Sequence, residues 1–314
     1  MRWALDELRR EGKIVRQVGV GTFVADPASS VRNNSGNGHA IATDSRTVVA
    51  ITKPDRSFFD RAVHLLAEQV EAAYLGLTCH LFNPALGLPM GTERPLGYIV
   101  FRRDLLPVAQ QLQRDGHQVV LVGTPYADVA PNVPVVQSNQ ERGGYLATRH
   151  LLDLGHRRIT FRAPLDLTQT QRYRGHERAL AEARKQGHQV EATYITDEQY
   201  TSWLRSHDTA RAYFASPDAP TAIVAWNDHE GMLLLGFFSY IGIRVPDQVS
   251  IIGYDNLPEG EKTHPALTTV DSAVEDQIQA ALEILTSDTP CPPNHTVIVR
   301  PTLIRRDSSA PLQV

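Results

Sequence analysis

Residues 47–82, TVVAITKPDRSFFDRAVHLLAEQVEAAYLGLTCHLF, decide the fold class. The run Thr47–Thr52 is short, aliphatic and β-branched and stops at Lys53-Pro54-Asp55, so it predicts a buried strand. From Phe59 to Leu75 the residues Val63, Leu66, Ala67, Val70 and Tyr74 recur at helical spacing and form one apolar stripe, closed by Gly76. A second β-prone run follows at Thr78–Phe82. Strand, helix and strand in that order predict a parallel pair, because the crossover carries the chain back to its starting edge.

The same alternation continues towards the C-terminus. Strands are expected at Gly97–Phe101, Val119–Gly123, Arg158–Arg162, Gln189–Ile195, Thr221–Trp226 and Val249–Gly253, with helices at Leu105–Asp115, Gly143–Leu154, Gln171–Lys185, Ser202–Ala215 and His229–Ile241. The fold class is therefore α/β with parallel sheets, and ligands are expected at the carboxyl ends of the strands. A stretch of this size outgrows one core, so two lobes are expected.

Towards the N-terminus the pattern changes. Residues 27–46 are Ser, Asn, Gly, Ala and Asp with few large apolar side chains, and they read as a linker. Before it, residues 2–11 form a short helical pattern, then Ile14–Val18 and Thr22–Val24 flank Gly19-Val20-Gly21 as a hairpin. A helix followed by a hairpin is half of a winged helix.

Composition narrows the function classes. The 314 residues carry a net charge of −4, with 42% hydrophobic and 21% charged residues, so bulk electrostatic coating of nucleic acid is excluded and any DNA contact is local. Cys79 and Cys291 are the only cysteines, which points to a reducing compartment. No signal peptide or membrane-length apolar run is present, and a cytoplasmic location is expected. His150 and His156 lack a third ligand nearby, so no metal site is expected. No nucleophile–base set has an elbow context and no cofactor motif stands out, so the chain does not read as an enzyme.

The segment 139–159, NQERGGYLATRHLLDLGHRRI, resembles the signature of the lac-repressor family at its crossing from first lobe to second. TAIVAWND (221–228), GIRVPDQVSIIGYDN (242–256), PALTTV (265–270) and PTLIRRDSS (301–309) resemble further blocks of that family, in the same order. This resemblance implies a two-lobed periplasmic-binding-protein-like (type I) domain over 47–314, crossed three times. Lobe one is expected at about 47–160 and 270–293, lobe two at about 161–269 and 294–310. Residues 1–26 are similar to the second half of a GntR-type winged helix, a combination that resembles arabinose repressors. The match begins inside that module, which leaves two readings open: a start upstream of Met1, or a lost DNA reader. Arg2, Arg16, Gly19, Gly21 and Thr22 are the expected DNA contacts, with Val20 standing where the family commonly has a basic residue. The resemblance implies a homodimer in two-fold symmetry, closing around a small-molecule sugar and altering its grip on operator DNA. A sensor acting without DNA and a sugar carrier for a transport system are the alternatives.

Site residues follow from strand ends and from the resemblance. Asp255 ends an apolar strand and can accept hydrogen bonds from vicinal hydroxyls, or else only cap the turn Asn256-Leu257-Pro258. Arg172 resembles the arginine that the family turns towards the sugar, against the alternative of a surface ion pair. Asn227 is expected on the ligand, and Asp228 as a cap or a support behind it. Phe58 and Phe59 resemble the family's aromatic platform, one of the pair being core. Trp203 or Tyr200 is the expected opposite wall. Asn139 stands where the family has an aspartate, and Arg102 with Arg103 would suit an acidic or phosphorylated sugar if they are not merely solvated.

Overall fold

The computed structural model describes residues 14–17, 21–24, 46–53, 58–83, 94–124, 130–163 and 170–312. The chain divides into two compact units, Met1–Gln137 with Val274–Val299 and Ser138–Ala273 with Arg300–Val314.

In the first unit the strands are β1 (Ile14–Gln17), β2 (Gly21–Val24), β3 (Thr47–Thr52), β4 (Gly76–Leu81), β5 (Gly97–Phe101), β6 (Val119–Val122), β7 (Val135–Ser138) and, much later in the chain, β13 (Thr296–Val299). They form one sheet in the order β1-β2-β4-β3-β5-β6-β7-β13. Its central strands are buried on both faces. Val48, Ala50, Ile99 and Phe101 meet helix α1 (Phe58–Ala72) and a late helix, α9 (Val274–Thr286), while Val49, Ile51, Tyr98 and Val100 meet α2 (Leu106–Arg114). The stripe Val63, Leu66, Ala67 and Val70 is buried as its spacing requires, each larger aliphatic contributing about 1.5–3 kcal/mol relative to exposure. Tyr74 departs from that stripe. The helix stops at Ala72, Tyr74 turns left-handed at φ 54°, and its ring is 87% exposed.

The expected hairpin is present, with Arg16 opposite Thr22 and Gln17 opposite Gly21. It does not stand apart from the α/β fold, for β2 pairs antiparallel with β4, Thr22 opposite Cys79. Arg2 and Gly19, the helical pattern at 2–11 and the linker at 27–45 lie outside the described residues.

The second unit holds α3 (Gln140–Asp153), β8 (Arg158–Arg162), α4 (Gln171–Lys185), β9 (Glu191–Ile195), α5 (Asp197–Arg205), α6 (His207–Ala215), β10 (Ala222–Ala225), α7 (Asp228–Ile241), β11 (Ser250–Ile252), α8 (Pro258–Glu261), β12 (Thr269–Asp271) and β14 (Thr302–Ile304). Its sheet runs β11-β10-β8-β9, all parallel, with α3 and α4 over one face and α5, α6 and α7 over the other. The single helix expected at 202–215 is two helices, broken at Ser206, whose hydroxyl caps the second by accepting from Thr209 N.

The unit boundary corrects the sequence expectation. Residues 138–160 belong to the second unit, because α3 packs backbone to backbone on α4: a Cβ on Gly144 would stand 1.9 Å from the Arg172 carbonyl oxygen, and one on Gly175 1.9 Å from that of Glu141. Residues 270–273 stay with the second unit, held by β12, which pairs with β14, and 294–299, which contain β13, go instead to the first unit.

The segment 308–312 then ties the second unit together. Ser308 accepts from Ile251 N through its carbonyl and from Thr268 N through Oγ. His150 meets Ser309 Oγ at 3.1 Å, and His156 bridges Thr221 and the Ala310 carbonyl, so both histidines are structural struts. Burial lowers the pKa of both from the ordinary histidine value.

Candidate functional site

Three parallel neighbours of the second unit, β8, β10 and β11, end side by side, and the residues that follow them carry the polar groups. After β10 come Trp226 and Asn227, after β11 Tyr254 and Asp255, and α4 brings Arg172 to the same edge.

Arg172 is held on every side. Its Nε donates to Gln140 Oε1 and its Nη1 to the Trp226 carbonyl, and Nη2 stands 3.5 Å from Asp255 Oδ1. The guanidinium plane lies 3.7 Å from the ring centre of Tyr254 and 4.7 Å from that of Trp226. A planar, permanently charged fork fixed on two aromatic rings is pre-organised to present its remaining N–H groups to ligand oxygens. The Gly144–Gly175 contact sets its position, since a bulkier residue at either place would lift the start of α4.

Asp255 is buried, 3% exposed, and sits at φ 107°, a backbone region few side-chain-bearing residues adopt. Its amide donates to the Val270 carbonyl, and Asn256 follows at φ 53° with Nδ2 donating to Asp271 Oδ2. Two positive-φ residues in succession are tied down by β12, which fixes the backbone that carries the carboxylate.

Asn227 caps α7, its Oδ1 accepting from Glu230 N at 2.9 Å. The capping role that the sequence left to Asp228 therefore belongs to Asn227, whose amide nitrogen is the part left to meet a ligand. Asp228 is fully buried behind it. It accepts from Leu257 N and Thr269 Oγ1, and its carboxyl is pushed up to about 6, chiefly by burial and against those two hydrogen bonds. Gly253 makes room for it: a Cβ there would lie 2.1 Å from Asp228 Oδ1.

Asn139 caps α3 by accepting from Arg142 N. Trp203 does not form a wall. It is 1% exposed in the core between α5, α6 and α7, against Tyr213 and Phe214, because the break at Ser206 folds α6 back over it. Tyr200 packs edge-on against Trp203 and Phe237. The side chains of Phe58 and Phe59 lie outside the described residues. In the first unit Arg102 Nε meets Asp104 Oδ1 at 3.0 Å and Lys53 reaches the other oxygen at 2.7 Å. Arg102 is thus engaged with a carboxylate rather than simply solvated.

Sequence reasoning passed over Gln140, Trp226 and Tyr254, which orient Arg172. Tyr254 and Trp226 were legible only as strand ends. Arg162 was missed as well, because β8 begins and ends on an arginine and neither stands out in the sequence.

The sequence profile of the periplasmic binding protein-like domain matches residues 148–309. An HTH-type transcriptional repressor PurR from Photobacterium profundum is 31% identical over 243 residues, 75% of this chain and 72% of that protein. The chain belongs to the lac-repressor-type, periplasmic-binding-protein-like family. An arabinose metabolism transcriptional repressor from Geobacillus stearothermophilus is 29% identical over 343 residues, covering 98% of this chain and 86% of that protein. A LacI family transcriptional regulator from Enterococcus faecium, solved with bound ribose, shares the fold at a TM-score of 0.65 and 20% identity, over 85% of this chain and 100% of its own. Among the described residues of this lac-repressor-type chain, no helix is long and apolar enough to cross a membrane.

Proposed function

We propose that the chain is a sugar-responsive transcriptional repressor, a regulator rather than an enzyme, that acts in the cytoplasm as a two-fold homodimer. The observation that carries this reading is the Arg172–Asp255 pair at the carboxyl edge of the parallel sheet, with a charged donor and a charged acceptor 3.5 Å apart. Adjacent hydroxyls of a sugar supply both an acceptor and a donor at that spacing. The repressors to which the chain is similar support the regulatory half of the reading.

In this reading Arg172, Asp255 and the Asn227 amide hold the effector, and Asp228, Gln140 and Tyr254 position them. Asn139, at the start of α3 in the same unit, adds an amide to this set. Operator contact is assigned to the hairpin residues Arg16, Gly19, Gly21 and Thr22 and to Arg2, which precedes the hairpin, as parts of a GntR-type DNA reader. The effector changes operator affinity only by binding one state of the protein more tightly than another.

The test is a thermal-shift screen of monosaccharides and disaccharides, followed by operator capture from fragmented genomic DNA with and without the sugar found. A sugar that raises the melting temperature and changes the DNA retained supports the reading. A protein that no sugar stabilises overturns it.

A further inference from the structure

Arg162 ends β8 with its side chain on the sheet face opposite Phe161: Phe161 joins the core under α3 and α4, while the Arg162 guanidinium lies 4.8 Å from the Tyr200 ring on α5. Only 2% of the residue is exposed. Its Nη2 donates to Asp197 Oδ1 at 2.7 Å and stands 3.4 Å from Glu230 Oε2. Nε and Nη1 are buried and make no hydrogen bond, and neither does Glu230 Oε2. Guanidinium does not shed its proton to escape this state, and buried donors left unmade are costly enough that nearly all such groups in proteins are satisfied.

One residue links this cluster to the site around Arg172. Trp226 N donates to the Arg162 carbonyl at 2.7 Å, and the Trp226 carbonyl accepts from Arg172 Nη1. The next residue, Asn227, caps the turn that carries Glu230. The two arginine–carboxylate pairs thus flank a single residue, Trp226, at the carboxyl edge of the sheet, one towards each face.

The charges around this edge favour a neutral ligand. Arg162 is faced by Asp197 and Glu230, and Arg172 by Asp255; Arg306 and Asp271 are joined through Asn256, and the buried Asp228 lies near Arg306 and Arg172. Carboxylates outnumber guanidinium groups, so an anion entering here meets no uncompensated positive charge. A polyol meets alternating donors and acceptors.

We propose that Arg162 and Glu230 are a second recognition pair for the effector, selecting an uncharged polyhydroxyl ligand over its phosphorylated or carboxylated counterparts. The inference rests on the sugar-responsive reading and adds to it two residues and a ligand class. It also displaces the expectation, drawn from Arg102 and Arg103, of an acidic or phosphorylated sugar.

Titration calorimetry tests it with D-ribose, L-arabinose, D-glucose and cellobiose beside ribose 5-phosphate, glucose 6-phosphate and gluconate. The parent binds at least one uncharged sugar and holds its anionic counterpart at least about tenfold more weakly. Arg162→Lys keeps a cation opposite Asp197 but loses the fork, and weakens the sugar by about tenfold or more. Glu230→Gln, on a residue nearer the surface, weakens the sugar and also narrows the discrimination against the anion, a change that a purely structural role would not produce. Should Arg162→Lys fail to fold, Glu230→Gln decides alone. Binding by both variants within about twofold of the parent, with loss in Arg172→Ala, overturns this inference and leaves the sugar reading standing. A parent that prefers the phosphates overturns the ligand class, and one that binds none of the seven overturns both readings.

Discussion

Arg172 Nη2 stands 3.5 Å from Asp255 Oδ1, although one residue opens a helix and the other follows a strand. Both are largely buried, so either alone is a charge without its partner. Arg172→Ala and Asp255→Ala are expected to weaken sugar binding by roughly a hundredfold each, the cost of leaving a buried charged group unpaired. Arg184→Ala is the control on the same helix, since Arg184 is exposed and donates to the Val190 carbonyl. Calorimetry on the three variants measures the losses, and parental affinity in either site variant would remove that residue from the site.

Asp228 makes stability depend on pH in a stated direction. Its folded carboxyl titrates near 6 against an ordinary value of 3.8, so the folded protein holds the proton more tightly than the unfolded chain. The associated stabilisation is fully present below about pH 4 and is lost as pH rises through about 6, amounting to about 3 kcal/mol over that window. Melting temperature followed from pH 4 to pH 7.5 in the parent and in Asp228→Asn should differ in slope within that window. Parallel curves would show that Asp228 titrates normally.

The glycine contact between α3 and α4 predicts a combined loss. Gly144→Ala or Gly175→Ala places a methyl group 1.9 Å from a backbone carbonyl oxygen, which no rotamer relieves. Each is expected to destabilise by about 2 kcal/mol or more and to weaken sugar binding through the displaced Arg172. Gly236→Ala, with open space around it, is the matched control for the measurement by chemical denaturation.

The cysteines are expected to differ in reactivity. Cys79 packs against the first unit's core, and burial pushes its thiol up to about 12, while Cys291 is raised less and lies beyond α9. Both are free, so neither is expected in a disulfide. Thiol labelling of the native protein near pH 8 should modify Cys291 faster than Cys79. Equal rates would show that β4 opens readily.

The α/β class was legible because strands such as Val48–Ile51 and Ile223–Ala225 are continuous apolar runs, which is what burial on both faces requires. Helix α9 and strands β7, β12 and β13 were not read. The strands are three or four residues long, too short to show a period, and α9 lies far in sequence from the sheet that it covers. Arg172, Asn227 and Asp255 were legible from strand ends and family likeness together. Trp203 was misread because nothing in its spacing shows that Ser206 breaks the helix. Arg162 escaped because a charge at a strand end reads as solvated, and only the fold shows it covered by α5 and α7.

The tie made by Ser308, Ser309 and Ala310 has a consequence for synthesis. Ile251, Thr268, His150 and His156 all wait for partners encoded well downstream of them. On the ribosome the sheet β11-β10-β8-β9 can gather as it emerges, but the clasp across it closes only once residues 308–312 have cleared the exit tunnel. A nascent chain stalled before that point presents a second unit with its Ile251 amide and two histidines still unclasped, the state in which a chaperone or protease would meet it.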